Sequence, residues 1–156
     1  ARLREAFGYV FERPPGSGYP PICRLNRIVA GEGFAIGGQG GSIEFMPMMQ
    51  VHGSSSSLAF RIGAFAYCSD VSDFSTQTIA GLKGLDVLVL DALQYHTHPS
   101  HLSLDEALYW IEQLQPKRAV LTHMHTPLDY DEVRGKVPSH VEPAFDGMIL
   151  ELHVNE

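Results

Sequence analysis

Four polar residues stand just beyond apolar, strand-like runs: His52 after IEFMPMMQV, Asp70 after FAYCS, His101 in the loop after VLVLDAL, and His123 after AVLT. Strands of a parallel or mixed sheet finish along a shared edge, so residues distant in sequence can meet there. Three imidazoles and a carboxylate converging at such an edge suggest a metal site. His52, Asp70 and His123 are the candidate ligands, because imidazole nitrogen and carboxylate oxygen suit borderline divalent ions such as zinc or manganese. A carboxylate can also bridge two such ions. Asp70 closes a buried run, where it needs a cation or amide donors to stay charged. His101, directly ahead of a capped helix, reads as a catalytic group outside the ligand set, able to protonate a leaving oxygen or hold phosphate charge. Singly, each residue has a plainer role: a strand-end histidine is often structural, and Asp70, followed by Ser72 and Asp73, suits a cap or turn.

A competing constellation lies between them. His96-Thr97-His98-Pro99-Ser100-His101 has the spacing of the H-x-H-x-D-H metal motif, with Ser100 where the aspartate belongs. A serine hydroxyl cannot replace that carboxylate as ligand or general base. His96 and His98 are therefore read as loop residues, and so is His125, two positions after His123.

These residues need a scaffold, and the hydrophobic pattern sketches one. Leu3, Phe7, Val10 and Phe11 space one face of a helix over residues 2 to 12, which PPGSGYPP ends. Strand-like runs follow: ICRLNRIV, GFAI, SIEFMPMMQV, SLAFRIG and AFAYCS. GGQGG at 37 to 41 lacks the Lys-Ser/Thr ending of a phosphate loop and reads as a hairpin turn. Helices and strands then alternate: a short helix near Gln77 to Leu82, the strand DVLVLDAL, a helix from Leu104 to Leu114, the strand RAVLT and a helix near Asp129 to Arg134. Ser103 and Glu106 form a capping box, with Ala107, Trp110 and Leu114 as the buried stripe. FDGMILELHV alternates like a terminal strand. Antiparallel strands first and β-α units later imply an α/β fold, a mixed sheet covered by helices.

Composition sets the outer bounds. The 156 residues, 44% hydrophobic and 19% charged, make a single globular domain. Nothing reads as a signal peptide or a membrane span, so a soluble, cytoplasmic protein is expected. Cys23 and Cys68 have no C-x-x-C spacing and are expected to be two buried free thiols. A net charge of −7 argues against broad nucleic-acid binding and is the sign that bound cations would offset.

At these residues the chain resembles the metallo-β-lactamase-fold hydrolases, with the closest likeness to the cyclic phosphodiesterases of the phosphonate-degrading carbon-phosphorus lyase pathway. It is more distantly similar to the tRNA 3′-processing ribonucleases. The pieces are MMQVHG with His52, AYCSDVS with Asp70, HLSLDEAL with His101, LTHMH with His123, and AFDGMIL, in family order from residue 42 to 152. The resemblance implies the C-terminal half of an αββα sandwich. Two divalent ions, manganese or zinc, would be held in part by His52, Asp70 and His123, with Asp70 between them and His101 at the departing oxygen. Asp91 and Asp146 would orient ligand histidines from behind, the alternative being plain turn or capping roles. The family's H-x-H-x-D-H motif is not in this chain, so the expected partner is the N-terminal half of the same domain. The implied activity is hydrolysis of a small, cyclic phosphate ester by a metal-activated hydroxide. A tRNA-processing nuclease, or a non-catalytic subunit lacking the first metal motif, are the alternatives. A membrane partner is not expected, nucleic acid is the less favoured partner, and a homodimer is left open.

Overall fold

The chain alternates two kinds of connection, and these decide where its strands point. The computed structural model describes residues 2–152. Helix α1 (Arg2–Phe11) is interrupted at Phe7 and buries none of its side chains among the described residues. Seven strands follow: β1 (Phe34–Gly38), β2 (Gly41–His52), β3 (Ser55–Ile62), β4 (Phe65–Cys68), β5 (Val87–Asp91), β6 (Arg118–Thr122) and β7 (Val141–Pro143). They lie in one mixed sheet in sequence order. Tight hairpins make β1 to β4 antiparallel, whereas helical crossovers make β4 to β7 parallel.

The GGQGG hairpin forms as expected: Gly38 pairs with Gly41 across Gln39-Gly40, and Gly41 takes a φ of 117° that favours glycine. The crossovers carry α2 (Thr76–Gly81), α3 (Leu104–Leu114) and α4 (Tyr130–Lys136). Successive parallel strands step in one direction, and the near-universal right-handedness of such crossovers puts all three helices on one face. Each helix starts on a side-chain cap. Ser75 accepts from the Thr78 amide, Asp129 from the Glu132 amide, and Ser103 with Glu106 forms the expected reciprocal box.

The core lies between that face and the helices. Alternate residues point into it, namely Met48, Ala59, Ala66, Cys68, Leu88, Leu90, Ala119 and Leu121, where they meet Leu104, Ala107, Ile111, Leu114 and Val133. Trp110 is only half-buried and packs edge-to-face on Phe74 at 5.1 Å. On the opposite face Met49, Val51 and Tyr67 are exposed. The mixed α/β sheet with covering helices is therefore what the chain forms. No helix among the described residues is long and apolar enough to cross a membrane.

Three expectations fail locally. ICRLNRIV, residues 22 to 29, is not a strand: the Ile22 and Cys23 amides both bond the Val10 carbonyl at the end of α1, and among the described residues no strand pairs with the segment. Cys23 is consequently exposed, so only Cys68 is a buried thiol. FDGMILEL carries no strand either. A turn at Asp146-Gly147, with Gly147 at φ 88°, breaks its alternation, and the sheet closes instead on Val141–Pro143; His153 and Val154 lie outside the described residues.

The two cysteines differ chemically because burial raises the cost of a thiolate. Desolvation pushes the Cys68 thiol up to about 12. In native protein at a pH near the ordinary thiol value of about 8.5, a maleimide should modify Cys23 within minutes and leave Cys68 untouched. Both should react in denaturant. Equal native labelling, read by peptide mass spectrometry, would contradict this core.

Candidate functional site

Topology puts the chemistry on one edge. The carboxyl ends of β4, β5 and β6 share an edge because those strands are parallel, and β2, reversed twice relative to β4, also finishes there. His52 is the last residue of β2, Asp70 comes two residues after β4, Asp91 is the last residue of β5, and His123 follows β6. His101 arrives from the loop between β5 and α3. Ring centroids of His52 and His101 are 4.7 Å apart, and those of His101 and His123 are 4.8 Å apart. His123 Nδ1 lies 3.9 Å from Asp70 Oδ1. The four predicted residues thus come together.

Asp91 sits beneath them, fully buried. Its Oδ2 is 2.8 Å from His101 Nδ1 and accepts from the Val71 amide at 3.1 Å, while its Oδ1 lies 3.3 Å from His123 Nδ1. His52 Nδ1 is 2.7 Å from the Ser100 carbonyl oxygen. Carboxylates and carbonyls only accept, so Nδ1 carries the hydrogen in all three rings. In the neutral imidazole this leaves Nε2 as the lone-pair nitrogen, the form a metal or a proton requires.

The backbone reinforces the placement. Among the described residues, Asp70 (φ 55°), His123 (φ 61°) and the α3 cap Gln115 (φ 54°) are the non-glycine residues in the left-handed region. That conformation costs about 1–2 kcal/mol for most side chains and persists where surroundings impose it. Gly53, in the β2–β3 turn, has a φ of 61°, and a Cβ there would lie 3.0 Å from Ser100 Cβ and 3.1 Å from the Pro99 carbonyl oxygen. Only glycine lets this turn abut the loop that holds His52.

Outside this cluster the predicted roles separate. His96 and His125 are exposed loop residues, but His98 is half-buried with its ring 5.1 Å from His101, on the rim of the site. Of the two aspartates expected to orient histidines, Asp91 contacts both His101 and His123. Asp146 is exposed, in an open cleft of about 450 Å³ beside His123.

Gln50 was missed altogether. It is 1% exposed, donates from Nε2 to Ser57 Oγ at 3.0 Å and to the Ser69 carbonyl, and leaves Oε1 without a partner among the described residues. An orphaned buried acceptor costs about 1–3 kcal/mol. The visible signal was a polar residue on the core-facing side of MPMMQV.

The donor set suits divalent cations. The ligand-capable atoms of His52, Asp70 and His101 lie within 4.8 Å of one another; those of Asp91, His101 and His123 do so too, but there the Asp91 oxygens already accept from both rings. His101 belongs to both groups. Imidazole nitrogen with carboxylate oxygen fits zinc or manganese.

Asp91→Ala should strand two imidazole N–H groups and the Val71 amide. A hydrogen bond to a charged group contributes about 1.5–3 kcal/mol, so unfolding free energy from urea melts should fall by about 3 kcal/mol or more. Asp91→Asn, which can direct an N–H at those donors, should recover less than half of the loss. A drop below about 1 kcal/mol for the alanine variant would refute the anchoring role.

Comparisons with known proteins agree with this geometry. The sequence model of the beta-lactamase superfamily domain matches residues 1–124. The chain is 28% identical over 149 residues to an octanoyltransferase of Porphyromonas gingivalis, covering 94% of this chain and 29% of that protein. It superposes on the crystal structure of a diphosphatase of the PhnP family with a TM-score of 0.77 and 30% identity, over 94% of this chain and 52% of that one. Zinc-bound PqqB of Methylobacterium extorquens (TM-score 0.63, 14% identity, 83% of this chain and 56% of that one) and the short human tRNase Z (0.57, 17%, 72% and 44%) share the fold. The chain spans about half the length of the diphosphatase and under a third of the octanoyltransferase. With more than half its residues matched by the family model and a mixed sheet that superposes on these structures, the chain belongs to the beta-lactamase superfamily and has the metallo-β-lactamase fold.

Proposed function

We propose that this chain supplies the second half of the active site of a metal-dependent phosphodiesterase acting on a small phosphate ester, cyclic esters included. The observation that carries this reading is the convergence of His52, Asp70, His101 and His123 on one sheet edge above a buried carboxylate. His52 and His123 would each hold a different divalent ion, manganese or zinc, with Asp70 between the two. When bound, such ions acidify water and polarise phosphoryl oxygens.

The chain's own residues do the rest. Asp91 fixes the His101 ring through Nδ1, so that Nε2 is the nitrogen left to shuttle a proton: it takes one up, which makes the ring an imidazolium, and gives it to the departing oxygen. His52 is locked by the Ser100 carbonyl in the tautomer a ligand needs. A catalytic ion of this kind takes about three protein ligands, so two ions need more than His52, Asp70 and His123 offer. The remaining ligands would come from an H-x-H-x-D-H segment in the N-terminal half of the same domain. The exposed apolar sheet face with Met49, Val51 and Tyr67 supports a further layer packed there. A net charge of −7 favours a small substrate over RNA.

The division of labour is testable in the full-length protein with bis(p-nitrophenyl) phosphate and metal analysis by mass spectrometry. His101→Ala should keep its metal but lose turnover by a factor on the order of 10²–10⁴. Asp70→Ala should lose metal. Equal metal loss in both variants, or a wild-type protein that neither binds metal nor hydrolyses the diester, would overturn the proposal.

A further inference from the structure

Asp70 is half-exposed and its backbone is in the left-handed region, and side chains from β2 and β3 bond the carbonyls of that turn. The hydrogen bonds identify them. Gln50 Nε2 donates to the Ser69 carbonyl and to Ser57 Oγ, with the Asp70 carbonyl 3.5 Å away, and Ser57 Oγ donates to that Asp70 carbonyl at 2.6 Å. Every direction in this chain is forced, because an amide nitrogen only donates and a carbonyl only accepts. Flipping the Gln50 amide would set Oε1 against two carbonyl oxygens. Oε1 is left with no partner among the described residues.

An apolar side chain at position 50, on the same side of β2 as Met48, would remove the orphaned Oε1 but leave the Ser69 carbonyl without its donor. What Gln50 does that an apolar residue cannot is grip two successive carbonyls, one directly and one through Ser57. Those carbonyls flank the left-handed turn. Val71, next in the chain, is gripped from the other side by Asp91 Oδ2 at 3.1 Å.

We infer that Gln50 and Ser57 are positioning residues that clamp the Ser69-Asp70 backbone and so aim the Asp70 carboxylate at the site. The inference deepens the proposed function and rests on Asp70 being a metal ligand there. Its consequence is a metal affinity that depends on a side chain with no contact to any metal. Partners of this kind, one step behind a ligand, typically tune affinity 10- to 100-fold.

The test is manganese binding by the full-length protein, titrated by the electron paramagnetic resonance signal of free Mn²⁺, alongside thermal melts. Gln50→Met keeps the volume and removes both donors; Ser57→Ala removes the relay, and Ser57→Thr restores a hydroxyl. Gln50→Met and Ser57→Ala are expected to weaken binding by roughly 10- to 100-fold, and Ser57→Thr to stay near wild type. If Gln50→Met does not fold, the Ser57 pair decides. Melting temperatures that fall while affinity stays unchanged would assign both residues a purely structural role and overturn the inference. Asp70→Ala separates the levels. If it abolishes binding while the Gln50 and Ser57 variants bind normally, only the clamp is wrong. If it too binds normally, the reading of Asp70 as a ligand falls, and the clamp with it.

Discussion

A single buried carboxylate holds this site together. Asp91 is the last residue of the most deeply buried strand, with no exposed surface of its own, and a carboxylate there is tolerable only when its lone pairs are occupied. Three donors from three segments occupy them: the His101 ring from the loop ahead of α3, the His123 ring from the end of β6, and the Val71 amide just past β4. The same requirement that makes Asp91 affordable inside the protein thereby fixes two imidazoles and the turn that carries Asp70. His52 is drawn in at one remove, because its partner is the carbonyl of Ser100, the residue before His101.

The sheet makes that arrangement reachable. Two consecutive hairpins return β2 to the direction of β4, and three helical crossovers keep β4 through β7 parallel, so every chemically useful residue emerges at the same edge. The helices all cover one face, and their burial of Leu104, Ala107, Ile111, Leu114 and Val133 supplies the rigidity on which loop geometry depends. Both loops nearest the site are tied back to the scaffold. The Leu93 amide bonds the Leu102 carbonyl, and the His125 amide bonds the Leu93 carbonyl.

Features written in local chemistry were legible in the amino-acid sequence. Helix α3 starts and stops where its capping box and apolar stripe predict, the GGQGG turn forms its hairpin, and the buried runs VLVLD and RAVLT become the central parallel strands. Features decided by a distant partner were not. ICRLNRIV has strand composition but no neighbour to pair with, so its amides go to α1 and Cys23 stays exposed. Asp91 and Asp146 were equivalent as single acids after apolar residues, and burial in β5 rather than exposure on a turn separates them. Gln50 broke the apolar alternation visibly, but its reason lies at the Ser69-Asp70 turn, twenty residues away in the chain. His98 read as a loop residue because nothing local announces that its loop folds its ring toward His101.

The most direct measurement is of the protons themselves. Long-range ¹⁵N–¹H correlation spectra of the neutral imidazoles report which ring nitrogen carries hydrogen at each histidine. His52, His101 and His123 should all carry it on Nδ1 in native protein, and His101 and His123 should lose that preference in Asp91→Ala. Hydrogen on Nε2 at His101 and His123 in the wild-type protein would mean that Asp91 does not anchor them, and that the site is not built on this carboxylate.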